Sequence, residues 1–561
     1  MVIAGWFAGI CHRQQRHRVR RLSRIGRSPF MNVAAECLEA KLLLSNIAVT
    51  AQDHVVTLIG DTGDHTLAAS VVNGQLELAG SNGTMLTFDG TTKATVDVPL
   101  NGKLKAIHIN LPGAGNNTVT FDGTDLPKIT GNFEVNMGGG TDSFSLTNAN
   151  VKGGVSVNAG NGDDTIALSK DTTGEVSIRI GGGADSIQLG NDTTKEVEIK
   201  AGNGFDKVGL TNDTTGAVEV QTGTGGDAIT LSNDTSGKVL LGSRSGADTI
   251  KLTSDTAAGV AISSGAGDDS ILLSKVTLQS NVKLGDSNDD ESRGDKSHGD
   301  DHGHGDDHGH GDDHGHGDNQ GNGNSQGNDD DDDDRGDDRG DDFDDDRVPT
   351  LLSIRTGPGN DTVELDSVVA QGAGAGGSKW QIDLGTGNNT LTMNSDTDPG
   401  FLNVSAQGTG NNAVTINNST FGKNVGIALP DGKEKIVLNG DTFGGPTTLS
   451  TGTGSGSTIS VDDSTFKSRV RIDMAGDKAE LDLETAGTAG TGTEFHGPVL
   501  ATLSGASASV NLGTNTVGNA LIFDKLLKIT GGSPFATVTV ADANTTFNGP
   551  VVLNNANRVD V

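Results

Sequence analysis

Aspartate is the residue whose spacing in this chain invites chemistry. Asp164, Asp185, Asp206, Asp227, Asp248 and Asp269 recur every 21 residues, and each closes a short glycine turn. The turns read Gly160-Asn-Gly-Asp-Asp164, Gly181-Gly-Gly-Ala-Asp185, Gly202-Asn-Gly-Phe-Asp206, Gly223-Thr-Gly-Gly-Asp227 and Gly265-Ala-Gly-Asp-Asp269; before Asp248, Arg244 replaces the first glycine. Asp142 and Asp361 hold the same place in looser flanking repeats. Carboxylates stacked at strand spacing, about 4.8 Å, repel by roughly 1 kcal/mol in water and about 3.5 kcal/mol at an effective dielectric of 20. Two arrangements relieve that repulsion. A calcium ion takes oxygens from carboxylates and backbone carbonyls, and stacked glycine turns offer both. Alternatively each side chain bonds backbone N–H groups, a task asparagine performs equally well; Asn117, Asn389 and Asn412 stand at the same position. The candidate metal ligands are therefore Asp142, Asp164, Asp185, Asp206, Asp227, Asp248, Asp269 and Asp361, with calcium (Ca2+) the expected cofactor and simple turn closure the alternative.

Histidine supplies a second candidate chemistry. Three copies of Gly-Asp-Asp-His-Gly-His run from Gly299 to His316, followed by an unbroken acidic run from Asp329 to Asp334. His302, His304, His308, His310, His314 and His316 beside carboxylates are able to bind zinc, nickel or copper weakly. The stretch from Asp286 to Arg347 carries 25 acidic residues against 5 Lys or Arg and almost no apolar ones. Burial cannot offset its ordering entropy, so it is expected to be a disordered, solvated insertion.

The elements that must position these residues are repetitive. Val155, Val176, Val197, Val218, Val239 and Val260 form one column, and Ile166, Ile187, Val208, Ile229, Ile250 and Ile271 another; Leu168, Leu189, Leu210, Leu231, Leu252 and Leu273 follow two residues on. Period-two alternation of β-branched residues indicates strands with one buried face. A second turn carries Asp171, Asp192, Asp213, Asp234 and Asp255, each followed by Thr and expected to bond the backbone ahead of it as an Asx turn. A period near 21 predicts a parallel β-helix: an all-β solenoid of triangular coils with three short strand segments each. After Asn412 the glycines thin out, and Phe421, Phe443, Phe466, Phe495 and Phe547 recur in T-x-F or T-F contexts, predicting an aromatic stack.

Composition agrees with a narrow core. The chain has 561 residues, 84 of them Gly, 12 Pro, two Trp and no Tyr. Its net charge of −34 repels nucleic acid and attracts divalent cations. No apolar run approaches the roughly 20 residues of a membrane-spanning helix. Both cysteines, Cys11 and Cys37, precede the repeats. Val2 to Ile10 is apolar and precedes seven arginines between Arg13 and Arg27, the reverse of a secretory signal, and Met31 is an alternative start.

The glycine turn resembles the G-G-x-G-x-D-x-U-x nonapeptide of RTX (hemolysin-type) proteins, with Gly160, Gly162, Asp164 and Ile166 at matching positions. That resemblance implies calcium at the stacked turns. RTX rolls carry a turn on both edges of each coil, whereas these coils have one and a longer return path. Leu38, Glu39, Leu42, Leu43, Leu44 and Ser45 resemble the LEPR-XLL segment of large exported bacterial repeat proteins, with Ala40 and Lys41 in place of Pro and Arg. This second resemblance implies export.

The expected layout is a basic, LEPR-XLL-like segment over 1–45, opening strands or a cap over 46–105, regular coils over 106–285, the acidic insertion over 286–347 and looser coils over 348–561. The expected function is a non-enzymatic structural or adhesive role, secreted or at the cell surface, with divalent cations and a surface polysaccharide or protein as partners. The rival is a polysaccharide lyase or hydrolase, for which Asp462, Asp463 and Arg471 are the place to look; metal binding by the His/Asp tract is a third reading.

Overall fold

The computed structural model describes residues 45–279, 350–371, 377–398, 400–486, 490–534 and 536–561. The N-terminal segment, including Cys11, Cys37 and the LEPR-XLL-like residues before Ser45, lies outside them, as does the histidine-rich tract. The described chain is a parallel β-solenoid built from β-strands, with two long sheets running along the stack.

One regular coil shows how the sequence builds it. Thr172–Ile180 pairs in parallel with Thr193–Gly202 in the first sheet, placing Val176 beside Val197 and Ile178 beside Ile199. Ser186–Gly190 pairs with Lys207–Thr211 in the second, placing Ile187 beside Val208 and Leu189 beside Leu210. Every one of these apolar residues is buried, so each column read from the sequence is a stack in the core.

The coil has two strands here, not three. The segment after the second turn continues into the next strand, as in the 11-residue Asn150–Gly160. Glycines allow neighbouring corners to stack closely: a Cβ on Gly174 or Gly237 would meet the carbonyl oxygen of Gly153 or Gly216 in the preceding coil. Farther along, the two segments separate, as Thr420–Phe421 and Val425–Leu429.

The glycine turn is governed by the same close approach, and its second glycine does not fade. A Cβ on Gly204, Gly225, Gly246 or Gly267 would fall on the carbonyl oxygen of the same glycine one coil earlier, and Gly432, Gly454, Gly476 and Gly505 repeat the contact. Side-chain-free backbone is the only kind that stacks this tightly.

The stack is continuous across the insertion. Val260 pairs with Leu352 and Ile262 with Ile354, and Ser270–Ser274 pairs with Thr362–Asp366. Leu352 and Ile354 thus complete the coil left at Gln279; Val282 and Leu284, which have the same pattern, lie outside the described residues. At the N-terminal end, Ser45–Gln52 with Val55–Gly60, and Thr66–Val72 with Gln75–Ser81, form antiparallel hairpins whose outer edges pair in parallel with the first coils. Toward the other end, Phe421, Phe443, Phe466, Phe495, Phe523 and Phe547 stack with ring centroids 4.7 to 6.0 Å apart. Phe523 joins the expected set, and Trp380 meets Phe421 edge-on.

Candidate functional site

The eight aspartates of the glycine turns form one column, and that column points inward. Asp164 lies two residues before Ile166 and four before Leu168, so strand alternation carries it to the core side. Asp142, Asp164, Asp185, Asp206, Asp227, Asp248, Asp269 and Asp361 are all buried, at 1–3% exposure. Each Oδ1 accepts a hydrogen bond from the backbone N–H of the equivalent residue one coil earlier: Asp164 to Asp185 at 2.8 Å, Asp185 to Asp206 at 3.0 Å, Asp206 to Asp227 at 2.9 Å, Asp227 to Asp248 at 2.8 Å. The bond from Asp269 to Asp361, 2.9 Å, spans the insertion.

The column extends beyond aspartate. Asp361 N–H donates to Asn389 Oδ1, Asn389 N–H to Asn412 Oδ1, Asn412 N–H to Glu434 Oε2 and Glu434 N–H to Ser457 Oγ. At the other end Asn117 N–H donates to Asp142, and His65 N–H donates to Asn117 Oδ1. Glu434, Ser457 and His65 were not expected from the sequence. The signal for His65 was present, since Gly63-Asp-His-Thr-Leu67 repeats the pattern of Gly162-Asp-Asp-Thr-Ile166.

A second inward column comes from the other turn. Asp171 N–H donates to Asp192 Oδ1, Asp192 N–H to Asp213 Oδ1 and Asp213 N–H to Asp234 Oδ1, at 2.7 to 2.8 Å. The second oxygen accepts from the residue two positions behind, Ser169, Gly190, Thr211 and Ser232 in turn. The expected bond to the backbone ahead is therefore replaced by one to the backbone behind and one to the previous coil. The residue between, such as Asn191 or Asn212, takes a left-handed φ of 58 to 61°, folding the chain back over the carboxylate.

The columns differ in their spare oxygens. In the second, both carboxylate oxygens of Asp171, Asp192, Asp213 and Asp234 are engaged. In the first, the Oδ2 of all eight aspartates is buried with no hydrogen-bond partner. Burial pushes Asp164 up to about 7 and Asp142, Asp185, Asp206 and Asp269 to about 6. Neighbouring carboxylates add to this at Asp164, where Asp185 and Asp142 both contribute. Asp248 and Asp361 are raised by burial too, while the nearby hydroxyls of Ser243 and Thr356 pull the other way.

This geometry bears on calcium. Carbonyls of the first turn glycine are in use: Gly160 O accepts from Gly181 N–H and Gly181 O from Asn203 N–H. Each aspartate coil offers one carboxylate oxygen with no hydrogen-bond partner, against the 6 to 8 oxygens calcium takes. Among the described residues, no three carboxylate, imidazole or thiol side chains form a group able to hold a metal ion.

The carboxylates considered for sugar chemistry have other engagements. Asp462 accepts from the N–H groups of Thr485 and Ala486, and Asp463 from Gly492 N–H. Arg471 pairs with Asp473 on an exposed face of the first sheet, whereas Asp462 ends a strand of the second. A search of protein families, curated proteins and solved structures finds no match to this chain. Among the described residues, no helix is long and apolar enough to cross a membrane.

Proposed function

We propose that this protein is a non-enzymatic rod that acts structurally or in adhesion outside the cell, its partner a surface polysaccharide or protein. The observation that carries the reading is the use made of its polar residues. The carboxylates of both turns, the residues best suited to chemistry, accept backbone N–H groups from the preceding coil. They serve the stack, and side chains spent on holding backbone in register are not free for substrate. The LEPR-XLL-like segment supports export by resemblance. Protease treatment and antibody labelling of intact producing cells test the placement. The rod is expected to be accessible from outside; confinement to the cell interior would overturn the proposal.

A second reading adds calcium at the glycine turns, in keeping with the RTX resemblance. One observation favours it: the row of buried, unpartnered Oδ2 atoms from Asp142 to Asp361. A cation binding only the folded chain would stabilise it by mass action. Thermal unfolding with calcium and then with a chelator tests it: the midpoint is expected to fall on chelation, and an unchanged midpoint would overturn the calcium reading.

A further inference from the structure

The two ends of the described stack are finished differently. At the first end, antiparallel hairpins cover the coils. At the other, Thr545–Phe547, Val551–Asn554 and Ala556–Asp560 make one coil, and each strand pairs in parallel with the coil before it. Apolar side chains here reach the surface. Val551 is 39% exposed, although Leu527, which precedes it in the same inward column, is buried; Phe547, Leu553 and Ala556 are only partly buried. An edge of this kind is a template for a further strand.

Two core columns change character in this coil. In the second sheet Leu481, Val510 and Val538 stack in one inward column and Leu483, Leu512 and Val540 in the next, all of them buried. The same register places Arg558 on Val538 and Asp560 on Val540. The Arg558 guanidinium lies over the ring of Phe547, 6.0 Å from its centroid, and that ring is stacked on Phe523. It pairs with two carboxylates, Asp560 on its own strand and Asp542 in the turn after Val540. All three charged side chains keep much of their surface in water. A strand added to Ala556–Asp560 would shut them away from it, and their desolvation opposes that step.

We propose that Arg558, held by Asp542 and Asp560, is a plug that keeps this edge from adding a second copy of the chain. The shape of the edge names the copy's approach. Strands of both sheets end here with Phe547, Val551 and Leu553 among them, and the same edge of another copy, run antiparallel about a two-fold axis, continues both sheets at once. The first end offers no such match. Its outermost strands are Thr91–Lys93, three exposed residues, and Thr95–Pro99, which closes on a proline. With the plug in place the rod stays one copy long, and its sides are the surfaces left for a partner.

The test is sedimentation of the full chain over a range of concentrations. The natural chain is expected to sediment as a single copy. Arg558→Val combined with Asp560→Val repeats Val538 and Val540 of the coil before, and its average mass is expected to climb with concentration to that of two copies or more. Adding Val551→Lys to that variant should return it to a single copy, which places the contact at this edge. Arg558→Gln removes the charge and keeps most of the length. It is expected to associate more weakly by the same route, and it keeps the proposal testable if the double variant does not fold. Variants that stay single at every concentration, or association that Val551→Lys leaves unchanged, would overturn the plug. So would association of the natural chain that Val551→Lys abolishes.

Discussion

The backbone N–H of Asp206 donates to the Oδ1 of Asp227, one coil further on, at 2.9 Å. The same bond recurs along the column, so each aspartate anchors its predecessor's backbone while its own N–H is anchored by its successor. What the position requires is a short side chain with an inward acceptor oxygen.

Substitution at Asp206 tests that requirement. Asp206→Asn keeps the acceptor and adds a donor, which Asn389 directs at Leu384 O and Asn412 at Gly410 O. Its stability in urea is expected to equal or exceed that of the natural chain. Asp206→Ala leaves the buried N–H of Asp185 unpaired and should cost about 1–3 kcal/mol. Equal losses from both substitutions would show that the charge, not the acceptor, is what matters.

Gly225 should tolerate nothing larger than hydrogen. The carbonyl oxygen of Gly204 occupies the space a Cβ would need, and its φ is 144°. Gly225→Ala is expected to destabilise by roughly 3 kcal/mol or more. At Gly74, in a hairpin turn where a Cβ would meet no atom within 4 Å, the strain comes from φ alone. Gly74→Ala should cost about 1 kcal/mol, and chemical denaturation of the pair compares crowding with backbone strain.

Stability should fall as pH rises from acid to alkaline. In the second column burial, the largest cause, pushes Asp171 up to about 8, Asp234 to about 7, and Asp192 and Asp255 to about 6, from an ordinary 3.8. The folded chain then holds protons that the unfolded chain releases. That contribution is complete below about pH 4 and is lost as pH climbs through about 6 to 8. Each group loses about 1.4 kcal/mol for every tenfold difference in acidity between the folded and unfolded chain. The melting temperature is expected to be lower at pH 9 than at pH 5, and Asp234→Asn should flatten the slope. A melting temperature that rises over this range would show the column ionised in the folded state.

Removing residues 280–350 restores a 21-residue coil between Asp269 and Asp361, now 92 positions apart. The shortened chain should fold with unchanged or raised stability, because closing a loop of this length costs roughly 4 kcal/mol. Zinc or nickel binding by the His302–His316 tract should vanish from the same variant in titration calorimetry. Loss of folding would mean the insertion supports the stack.

Alternation and period, which a sequence displays openly, determined the parallel solenoid: Val176 under Val197 and Ile187 under Val208 follow from a 21-residue repeat of β-branched residues. The Phe421 to Phe547 stack was legible for the same reason. Carried one step back from Ile166, that alternation also turns Asp164 inward. Which backbone group its carboxylate meets was not legible, because the donor lies a full coil away and depends on how adjacent turns superpose. Tertiary structure alone decided that Asp206 bonds to the coil before it, that Asp171 reaches behind itself and that Leu352 stacks on Val260 across the insertion. It also brought His65 against Asn117, 52 positions further on. Spacing along a chain determines which face a side chain takes; only the stacked backbone supplies the partner it finds there.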